Sequence, residues 1–326
     1  MQNSNHQLSV PLYFDLRFLP YAVLTRPCLQ DPQTSHCYFI FVIQFINVLM
    51  CTAYCEHCFG NNVYVQVVVF GGFLYVLGGC GTQCAHGESA VNMVHRYDPR
   101  FNSWYQVAPM LSRRAYFFAG VVGNHLYAIG GKFKDGSLAS AECYDPDSNR
   151  WELVSPMPSA YHSHAGAVYA GRIYISGGYS NNHFTPDLQR FDTTQWDDMA
   201  PMLTPRGWHV MAAVGERLIV AGGCNLNTSQ QALPVLQAES YDPAVDQWTL
   251  IAPLAVSHKE ASCVVYHGQI YVLGGYNVQT KTGQRAVSRY DAEAGAWEQI
   301  GALPVSQTGV GYCVLALPSY NLDLFD

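Results

Sequence analysis

Short apolar runs recur along this chain, and five of them end in a pair of consecutive glycines. These glycine doublets are Gly78-Gly79, Gly130-Gly131, Gly177-Gly178, Gly222-Gly223 and Gly274-Gly275. They are spaced 52, 47, 45 and 52 residues apart, which defines a repeat near 49 residues. The run before the second doublet, residues 126–129 (LYAI), has the composition of a β-strand. A repeat of this length predicts four-stranded sheets arranged radially around an axis.

Each unit also carries an aromatic residue followed by a tryptophan. The pairs are Tyr97 with Trp104, Tyr144 with Trp151, Phe191 with Trp196, Tyr241 with Trp248, and Tyr290 with Trp297. Together with the apolar runs, these segments predict four strands per unit, which we name a to d. Gly123-Asn124 suits a tight hairpin between strands a and b, and the Asp-Pro after Tyr144 suits a turn between c and d.

Repetition favours a structural role for the doublets and the tryptophans. Glycines at the end of strand b allow backbones to approach closely where the units crowd together, and they tolerate unusual φ. The tryptophans are expected to bury their large faces between adjacent units. We assign no catalytic role to any of these residues.

Three features together resemble the kelch motif, in the style of the kelch-like adaptor family. They are the doublet, the Tyr-Asp-Pro-x4-Trp segment, and the Ala-Pro-Met sequences at residues 108–110 and 200–202. The resemblance covers residues 63–318 and implies an all-β kelch propeller. In kelch-like propellers the C-terminal strand closes the ring by supplying the inner strand of the first blade. Residues 308–315 resemble such a strand a, with no strand b after it.

We therefore predict five complete four-stranded blades and an incomplete sixth closed by the C-terminal strand. The propeller is expected to span residues 62–318, with a tail at 319–326. Residues 1–61 lack the repeat and are expected to be a poorly ordered or partly apolar segment. Kelch-like adaptors ordinarily carry BTB and BACK domains that engage a cullin scaffold, and a segment of 61 unrelated residues is not expected to supply them.

One apolar run lies outside the repeat, at residues 38–51 (YFIFVIQFINVLMC). Its fourteen residues fall short of a membrane helix, and Gln44 and Asn47 interrupt it. A buried strand or helix is favoured over a membrane segment. If this run pairs with the sixth blade, it covers strand edges that would otherwise be open.

Two cysteine motifs raise the question of a metal. Cys51, Cys55 and Cys58 share the C-x3-C-x2-C spacing of the iron–sulfur signature of radical enzymes that use S-adenosylmethionine. Those enzymes continue with alternating strands and helices, whereas kelch units follow here, so we expect no cluster. A second group, Cys80, Cys84 and His86, suggests zinc but lacks a second ligand pair at suitable spacing. We expect neither a metal nor a cofactor.

Composition limits the remaining possibilities. The net charge of −7 argues against general nucleic-acid binding, which needs a basic face. The 11 cysteines are an odd number at irregular positions, and no signal peptide opens the chain, so a cytoplasmic location is expected.

Antiparallel strand order places the d–a and b–c loops on one rim of the propeller. Sixteen residues before the doublets of units two to five lie Arg114, Tyr161, Arg206 and His258, and beside them Arg113, His162, Trp208 and Lys259. The b–c loops add Lys132, Lys134, Tyr179 and Tyr276. By resemblance, kelch-like propellers grip degron peptides at this rim, with arginines pairing carboxylates. We expect a protein or degron peptide partner, including acidic ones, and expect Arg114 and Arg206 to contact it without supporting the fold.

Three function classes remain open. The favoured one is a protein–protein interaction module resembling the substrate-recognition propeller of a cullin-RING E3 ubiquitin ligase adaptor. The alternative is a cytoskeletal or scaffolding kelch protein. A more remote one is a propeller enzyme such as an oxidase, but neither a copper-radical site nor paired catalytic carboxylates can be picked out of the sequence, so we expect no enzyme.

Overall fold

The structure is a computed structural model. It describes residues 64–80, 87–101, 103–134 and 136–315 in full, and the backbone alone of strand residues 22–25, 29–30, 37–45, 48–55, 62–63, 81 and 316. Every regular element in these ranges is a β-strand. None of the described residues belongs to a helix long and apolar enough to span a membrane.

Five blades of four antiparallel strands form most of the molecule, each with its strands in the order a-b-c-d. Blade one comprises Gln66–Phe70, Phe73–Leu77, Val94–Asp98 and Ser103–Val107. Blade two comprises Phe118–Val122, His125–Ile129, Ala141–Asp145 and Arg150–Val154. Blade three comprises Ala165–Tyr169, Arg172–Ser176, Leu188–Phe191 and Trp196–Met199. Blade four comprises Val210–Val214, Arg217–Ala221, Ala238–Asp242 and Gln247–Ile251. Blade five comprises Ser262–Tyr266, Gln269–Leu273, Ala286–Asp291 and Ala296–Ala302.

Short two-stranded ladders extend the b–c loops beyond the doublets. In blades two to five they pair Lys132–Phe133 with Gly136–Ser137, Tyr179–Ser180 with His183–Phe184, Cys224–Leu226 with Ala232–Pro234, and Tyr276–Asn277 with Thr282–Gly283. In blade one, Cys80–Gly81 pairs with Asn62–Val63. The loops that vary most in sequence are therefore held in extended form at one end of the propeller.

The inner strands a form a closed ring around a central channel. Each contacts the strand a of the next blade, and the C-terminal strand Tyr312–Ala316 contacts those of both blade five and blade one. The C-terminal strand thus takes the inner position of the sixth blade. The prediction of a kelch propeller with five complete blades and a closing C-terminal strand is confirmed.

The sheet of the sixth position is built from segments without the kelch repeat. Outward from Tyr312–Ala316 lie Val48–Cys55, Cys37–Phe45 and Ala22–Thr25, and Leu29–Gln30 also pairs with Cys37–Phe45. In the other blades the chain runs from the axis outward, whereas here it runs from the outside inward. Residues 38–45 and 48–51 of the apolar run therefore lie in strands of this sheet, and the second of these strands is beside the closing strand.

The cores lie between adjacent blades. One buried cluster joins Tyr75 and Leu77 of blade one to Leu126 and Tyr144 of blade two. The indole of Trp151 packs beside Tyr144, with ring centroids 5.2 Å apart, and its Nε1 donates to the carbonyl of Ala108 in the preceding unit at 2.9 Å. Each blade thus buries its face on its neighbour, which explains why the unit must repeat.

The doublets occupy the tightest points of this packing. Gly131 has φ of 97°, a left-handed value, and a Cβ at this position would lie 2.6 Å from the carbonyl oxygen of Ala115. An L side chain there would be strained in its backbone and would clash with the d–a segment that precedes strand a of the same blade.

Candidate partner-binding site at the channel mouth

The d–a and b–c segments meet at one rim through backbone pairing. In blades two to five an isolated bridge joins the two segments directly after the doublet: Ala115 with Lys132, His162 with Tyr179, Gly207 with Cys224, and Lys259 with Tyr276. The two sets of loop residues that strand order predicts to share a rim are therefore neighbours in the structure.

Six left-handed residues, four of them directly after these bridges, form a ring that we call the channel mouth. They are Tyr64, Tyr116, Ser163, Trp208, Glu260 and Gly309, with φ between 52° and 69°. Five backbone hydrogen bonds link them in sequence around the axis: each N–H of Ser163, Trp208, Glu260, Gly309 and Tyr64 donates to the carbonyl of the preceding member. One residue from each blade is thereby held at the opening of the channel in a fixed backbone conformation.

Three of the six mouth residues, Tyr64, Tyr116 and Trp208, are half-buried aromatic residues, and further rings lie beside them. The rings of Tyr64 and Tyr116 lie 4.1 Å apart. Further round the ring, the imidazole of His162 lies 5.4 Å from Tyr179 and 6.4 Å from Trp208. Such rigid aromatic surfaces supply much of the binding energy at protein interfaces.

Cations flank these rings. Lys259 Nζ lies 4.4 Å from the ring centroid of Trp208 and 5.7 Å from that of Tyr276, within the range of a cation–π interaction. The same ammonium pairs with Glu260, which also accepts a hydrogen bond from the Tyr64 hydroxyl at 2.9 Å. Burial and the nearby Glu260 carboxylate raise the pKa of Tyr64, so this tyrosine remains a neutral hydrogen-bond donor.

A second group of cations, which we call the basic cluster, comprises Arg113, Lys132 and Lys134. Arg113 and Lys134 are exposed, and both lie over the ring of Phe133, at 5.9 and 5.4 Å from its centroid. Over the ranges described in full, no carboxylate lies within ion-pair distance of these three side chains. The cluster therefore presents positive charge to solvent beside the mouth.

From the mouth inward, the channel contains a cavity of about 260 Å³ lined by the mouth residues and by the inner strands. His164 and His209 lie on its wall, in equivalent positions of blades three and four, where blade two has Phe117. Burial lowers the pKa of His164 to about 4 and holds that of His209 well below its ordinary value. Both imidazoles are therefore neutral near pH 7.

Arg114 and Arg206 do not belong to the mouth, so the prediction that they contact a partner is wrong. Both side chains are fully buried, with 0% exposure, and each is paired with a buried glutamate. Arg114 Nη2 donates to Glu142 Oε1 at 2.5 Å, and Arg206 Nη2 donates to Glu239 Oε1 at the same distance. A buried guanidinium with its carboxylate in place has no surface to offer a ligand.

The position sixteen residues before a doublet instead clamps two blades together. The carbonyl of Arg114 accepts the N–H of Gly79 in blade one at 3.0 Å, while its Nη1 donates to the carbonyl of Gly130 in blade two at 2.6 Å. In blade four, Arg206 makes the same contacts with Gly178 and Gly222, at 2.9 and 3.3 Å. We call these residues clamp residues.

Two other predicted contact residues are clamp residues as well. The carbonyl of His258 accepts the N–H of Gly223, and its Nδ1 donates to the carbonyl of Gly274 at 2.7 Å. Tyr161 accepts from Gly131 in the same way, and its hydroxyl donates to Asp187 at 2.7 Å. His258 is 0% exposed and Tyr161 9%, so neither is available for a partner in this structure.

Six predicted contact residues remain at the rim. Five of them have accessible side chains: Arg113 is exposed, and Tyr179, Trp208, Lys259 and Tyr276 are half-buried. The sixth, His162, packs between them but is only 7% exposed, and burial lowers its pKa to about 3. It supports the aromatic surface as a neutral ring.

Tyr64 and Tyr116 are mouth residues that sequence reasoning missed. Mouth residues stand fourteen residues before the doublets at Gly78, Gly130, Gly177, Gly222 and Gly274. The clamp residues stand sixteen residues before the doublets, so counting back fourteen residues instead of sixteen would have selected the mouth residues.

The two cysteine motifs lie largely outside the side chains that the structure describes. Among the described residues, no group of three or more His, Cys, Asp or Glu side chains could hold a metal ion. Cys58, Cys84 and His86 lie outside the described residues, as do residues 1–21 and 317–326.

A ring of four-stranded blades with a glycine doublet at the end of each strand b defines a β-propeller of kelch type. The sequence matches the KLHDC2/KLHL20/DRC7 Kelch-repeats domain family over residues 64–202 and 119–316. The chain therefore belongs to the kelch-repeat family.

Relatives among known proteins are kelch-like proteins. The chain is 38% identical to Kelch-like protein 36 of Mus musculus over 256 residues, and 36% identical to Kelch-like protein 26 of Homo sapiens over 254 residues. These matches cover 77% of this chain but only 42% and 41% of the relatives, so the chain spans less than half of their length. The solved structure of YjhT has the same fold, with a TM-score of 0.66 at 15% identity, over 83% of this chain and 96% of that one.

Proposed function

We propose that the channel mouth binds a segment of another protein, and that this propeller is the substrate-recognition part of a cullin-RING E3 ubiquitin ligase adaptor. The observation that carries the proposal is the group of half-exposed aromatic side chains, contributed by successive blades, beside an exposed basic cluster. The kelch-like relatives support the assignment to a family of kelch propellers. The role in a ubiquitin ligase is the further part of the proposal, and it requires additional protein domains.

The chemistry of the mouth favours a partner segment that combines an apolar or aromatic side chain with carboxylates. Tyr179, Trp208 and Tyr276 offer ring faces that gain from burial against apolar groups. Arg113 and Lys134 are exposed cations, and Arg113 is able to bind a carboxylate with two hydrogen bonds. The partner class is thus an acidic protein segment, such as a degron peptide.

The backbone of the mouth is suited to such binding because it is already ordered. The left-handed residues are joined by interblade hydrogen bonds, and the clamp residues fix the doublets beneath them. A preformed site avoids part of the ordering cost of association. The cavity below the mouth gives room for one side chain of the partner to enter the channel.

The proposal is tested by quantitative mass spectrometry of proteins captured from cell extract by the purified chain and by two charge variants. Arg113→Ala removes a cation of the basic cluster, beside the mouth. Arg217→Ala is the matched control, since Arg217 is 52% exposed at the opposite end of strand b, where its surface pairing with Asp242 contributes little to stability.

Partners that use the mouth should be depleted with Arg113→Ala and with Tyr179→Ala, and retained with Arg217→Ala. For one such partner, affinity should fall as salt rises, and this salt dependence should be shallower for Arg113→Ala. If Arg113→Ala and Tyr179→Ala captured every partner as well as the wild-type chain does, the binding surface would lie elsewhere on the propeller.

A further inference from the structure

Two cysteines from distant parts of the chain are opposite each other in strand register at the closing strand of the ring. In the antiparallel pair between Tyr312–Ala316 and Val48–Cys55, Cys313 is the direct register partner of Cys51. Directly opposed residues in an antiparallel pair have Cα atoms about 4.5 or 5.5 Å apart, depending on the hydrogen-bond pattern. Both separations lie within the range of about 4.4–6.8 Å that a disulfide spans.

This pairing is distinctive among the cysteines of the described strands. Cys143 is paired with Tyr127 and Glu152, and Cys263 with Val272. Cys224 and Cys80 are paired with Pro234 and Val63. Within the strands that the structure describes, Cys51 and Cys313 therefore form the one cysteine pair in register.

The cysteine pair lies where the closing strand joins the last blade to the first. Along the closing strand, Tyr312 packs in the cluster of blade five, whereas Cys313 and Leu315 pack with Leu74 and Tyr97 of blade one. The closing strand thus joins the last blade to the first, and its outward neighbour is Val48–Cys55. Backbone hydrogen bonds and packing hold this seam together, while a covalent bond would close a loop of about 260 residues.

We propose that Cys51 and Cys313 form an intramolecular disulfide when the protein meets a low-molecular-mass disulfide oxidant, and that this bond locks the propeller ring at its closing strand. In the first step one cysteine thiolate attacks the oxidant, which releases one small thiol and leaves a mixed disulfide. The second cysteine thiolate then attacks its partner's sulfur and releases the second small thiol. The two protons of the cysteines end on the two released thiols, so the oxidant is reduced by two electrons.

Two other buried thiols are poorly reactive towards such an oxidant. Burial raises the pKa of both Cys224 and Cys263 to about 12, which leaves almost no thiolate at neutral pH. In a reducing compartment the pair would remain as thiols, and the lock would respond to oxidation.

The test uses the full chain, purified in reduced form and incubated with oxidised glutathione. Digestion without reduction followed by mass spectrometry should show a peptide pair linked through Cys51 and Cys313. Because the bond closes a long loop, the melting temperature of the oxidised chain should rise by about 10 °C, and reductant should reverse the rise.

Variants separate this lock from general effects of thiol oxidation. Cys51→Ser should abolish both the linked peptide and the rise in melting temperature. Cys55→Ser is the matched control, since Cys55 lies in the same strand but opposite Tyr38, and it should behave as wild type. A wild-type chain whose oxidation leaves Cys51 and Cys313 unlinked overturns the proposal, even if Cys51→Ser fails to fold. A rise in melting temperature that persists in Cys51→Ser would also overturn it.

Discussion

Two adjacent arginines, one in the basic cluster and one a clamp residue, provide a sharp test of the distinction between surface and clamp positions. Arg113 is exposed, whereas Arg114 is fully buried against Glu142. Replacing Arg114 with alanine would leave the Glu142 carboxylate buried, supported only by the N–H groups of Leu111 and Ser112 at 2.6 and 2.8 Å. Breaking a buried ion pair on one side typically costs about 3–5 kcal/mol.

The expected loss for Arg114→Ala lies in the upper half of that range, about 4 kcal/mol, because three further hydrogen bonds disappear, one of them from Nη2 to Ser140 Oγ. Arg114 Nη1 also donates to the carbonyls of Gly130 and Ser140, at 2.6 and 3.1 Å, and both oxygens would lose this donor. For a domain of this size the loss corresponds to a fall in melting temperature of roughly 10 °C. Arg113→Ala should remain within about 0.5 kcal/mol of wild type.

The measurement is urea unfolding followed by tryptophan fluorescence, with thermal melting alongside. A double variant, Arg114→Met with Glu142→Gln, should lose less stability than the sum of its two single variants, since it leaves no uncompensated charge. Matching unfolding curves for Arg113→Ala and Arg114→Ala would refute the clamp interpretation and return Arg114 to the candidates for partner contact.

Further predictions concern the doublets, the core, the channel wall and the scaffold. Gly131→Ala should destabilise the propeller strongly in thermal melting, whereas Gly123→Ala, which also has positive φ but open space around it, should cost only about 1–2 kcal/mol. Trp151→Ala should cost about 3–5 kcal/mol in urea unfolding, since it empties an interblade core and removes an indole hydrogen bond. His164 has a folded pKa of about 4 and an unfolded pKa of about 6.5, so its neutral form contributes stability above pH 6.5 that is lost as pH falls towards 4; His164→Phe, which copies blade two, should flatten the pH dependence of unfolding in this window. The purified chain alone should not co-precipitate a cullin scaffold, and robust direct binding would contradict this.

The repeat was predictable because its signals are local. A doublet, a turn and a stacked aromatic pair each lie within a few residues, and the same constraint recurs in every blade. In the structure Asp145 Oδ1 accepts the N–H of Asp147 at 2.9 Å, which is the turn that Asp-Pro indicates. Tyr144 and Trp151 are direct register partners across strands c and d. Local rules therefore sufficed for the blades.

The clamp was not predictable by the same rules because a loop arginine is usually solvated. Its partner lies in strand c of the same blade, 28 residues further along for Arg114. A signal was nevertheless present: in units two and four, which have arginine at the clamp position, a glutamate stands two residues before the strand c tyrosine, as in Glu142 and Tyr144. Unit five has His258 at the clamp position and Ser288 at the equivalent of the glutamate, and the two are hydrogen-bonded at 3.0 Å. Where the clamp residue differs between these units, the strand c residue that it contacts differs too. Such a joint difference between two positions of the repeat, rather than charge alone, indicates that the two side chains are buried against each other.

The sixth sheet was beyond repeat-based reasoning because its strands carry no kelch signals. Residues 38–51 could be recognised as apolar and too short for a membrane helix, and pairing with the closing strand was one hypothesis for them. Their reversed order in the sheet depends on which strand edge is left open by Tyr312–Ala316, and that edge exists only once the ring has formed. The pairing of Val48–Cys55 with Tyr312–Ala316 therefore depends on the assembled ring and not on local sequence signals.

The separation of clamp and mouth by only two residues has a mechanical consequence for binding. Arg206 and Trp208 lie on one short segment, so the buried ion pair below fixes the backbone from which the exposed indole projects. Replacing a clamp residue such as Arg206 would therefore weaken partner binding even though that residue does not touch the partner. The reason is that the mouth residue Trp208 would be held less firmly in its binding conformation. A variant of the mouth would weaken binding while stability stays close to wild type. Affinity alone thus does not identify a contact residue in this ring; affinity measured together with the free energy of unfolding does.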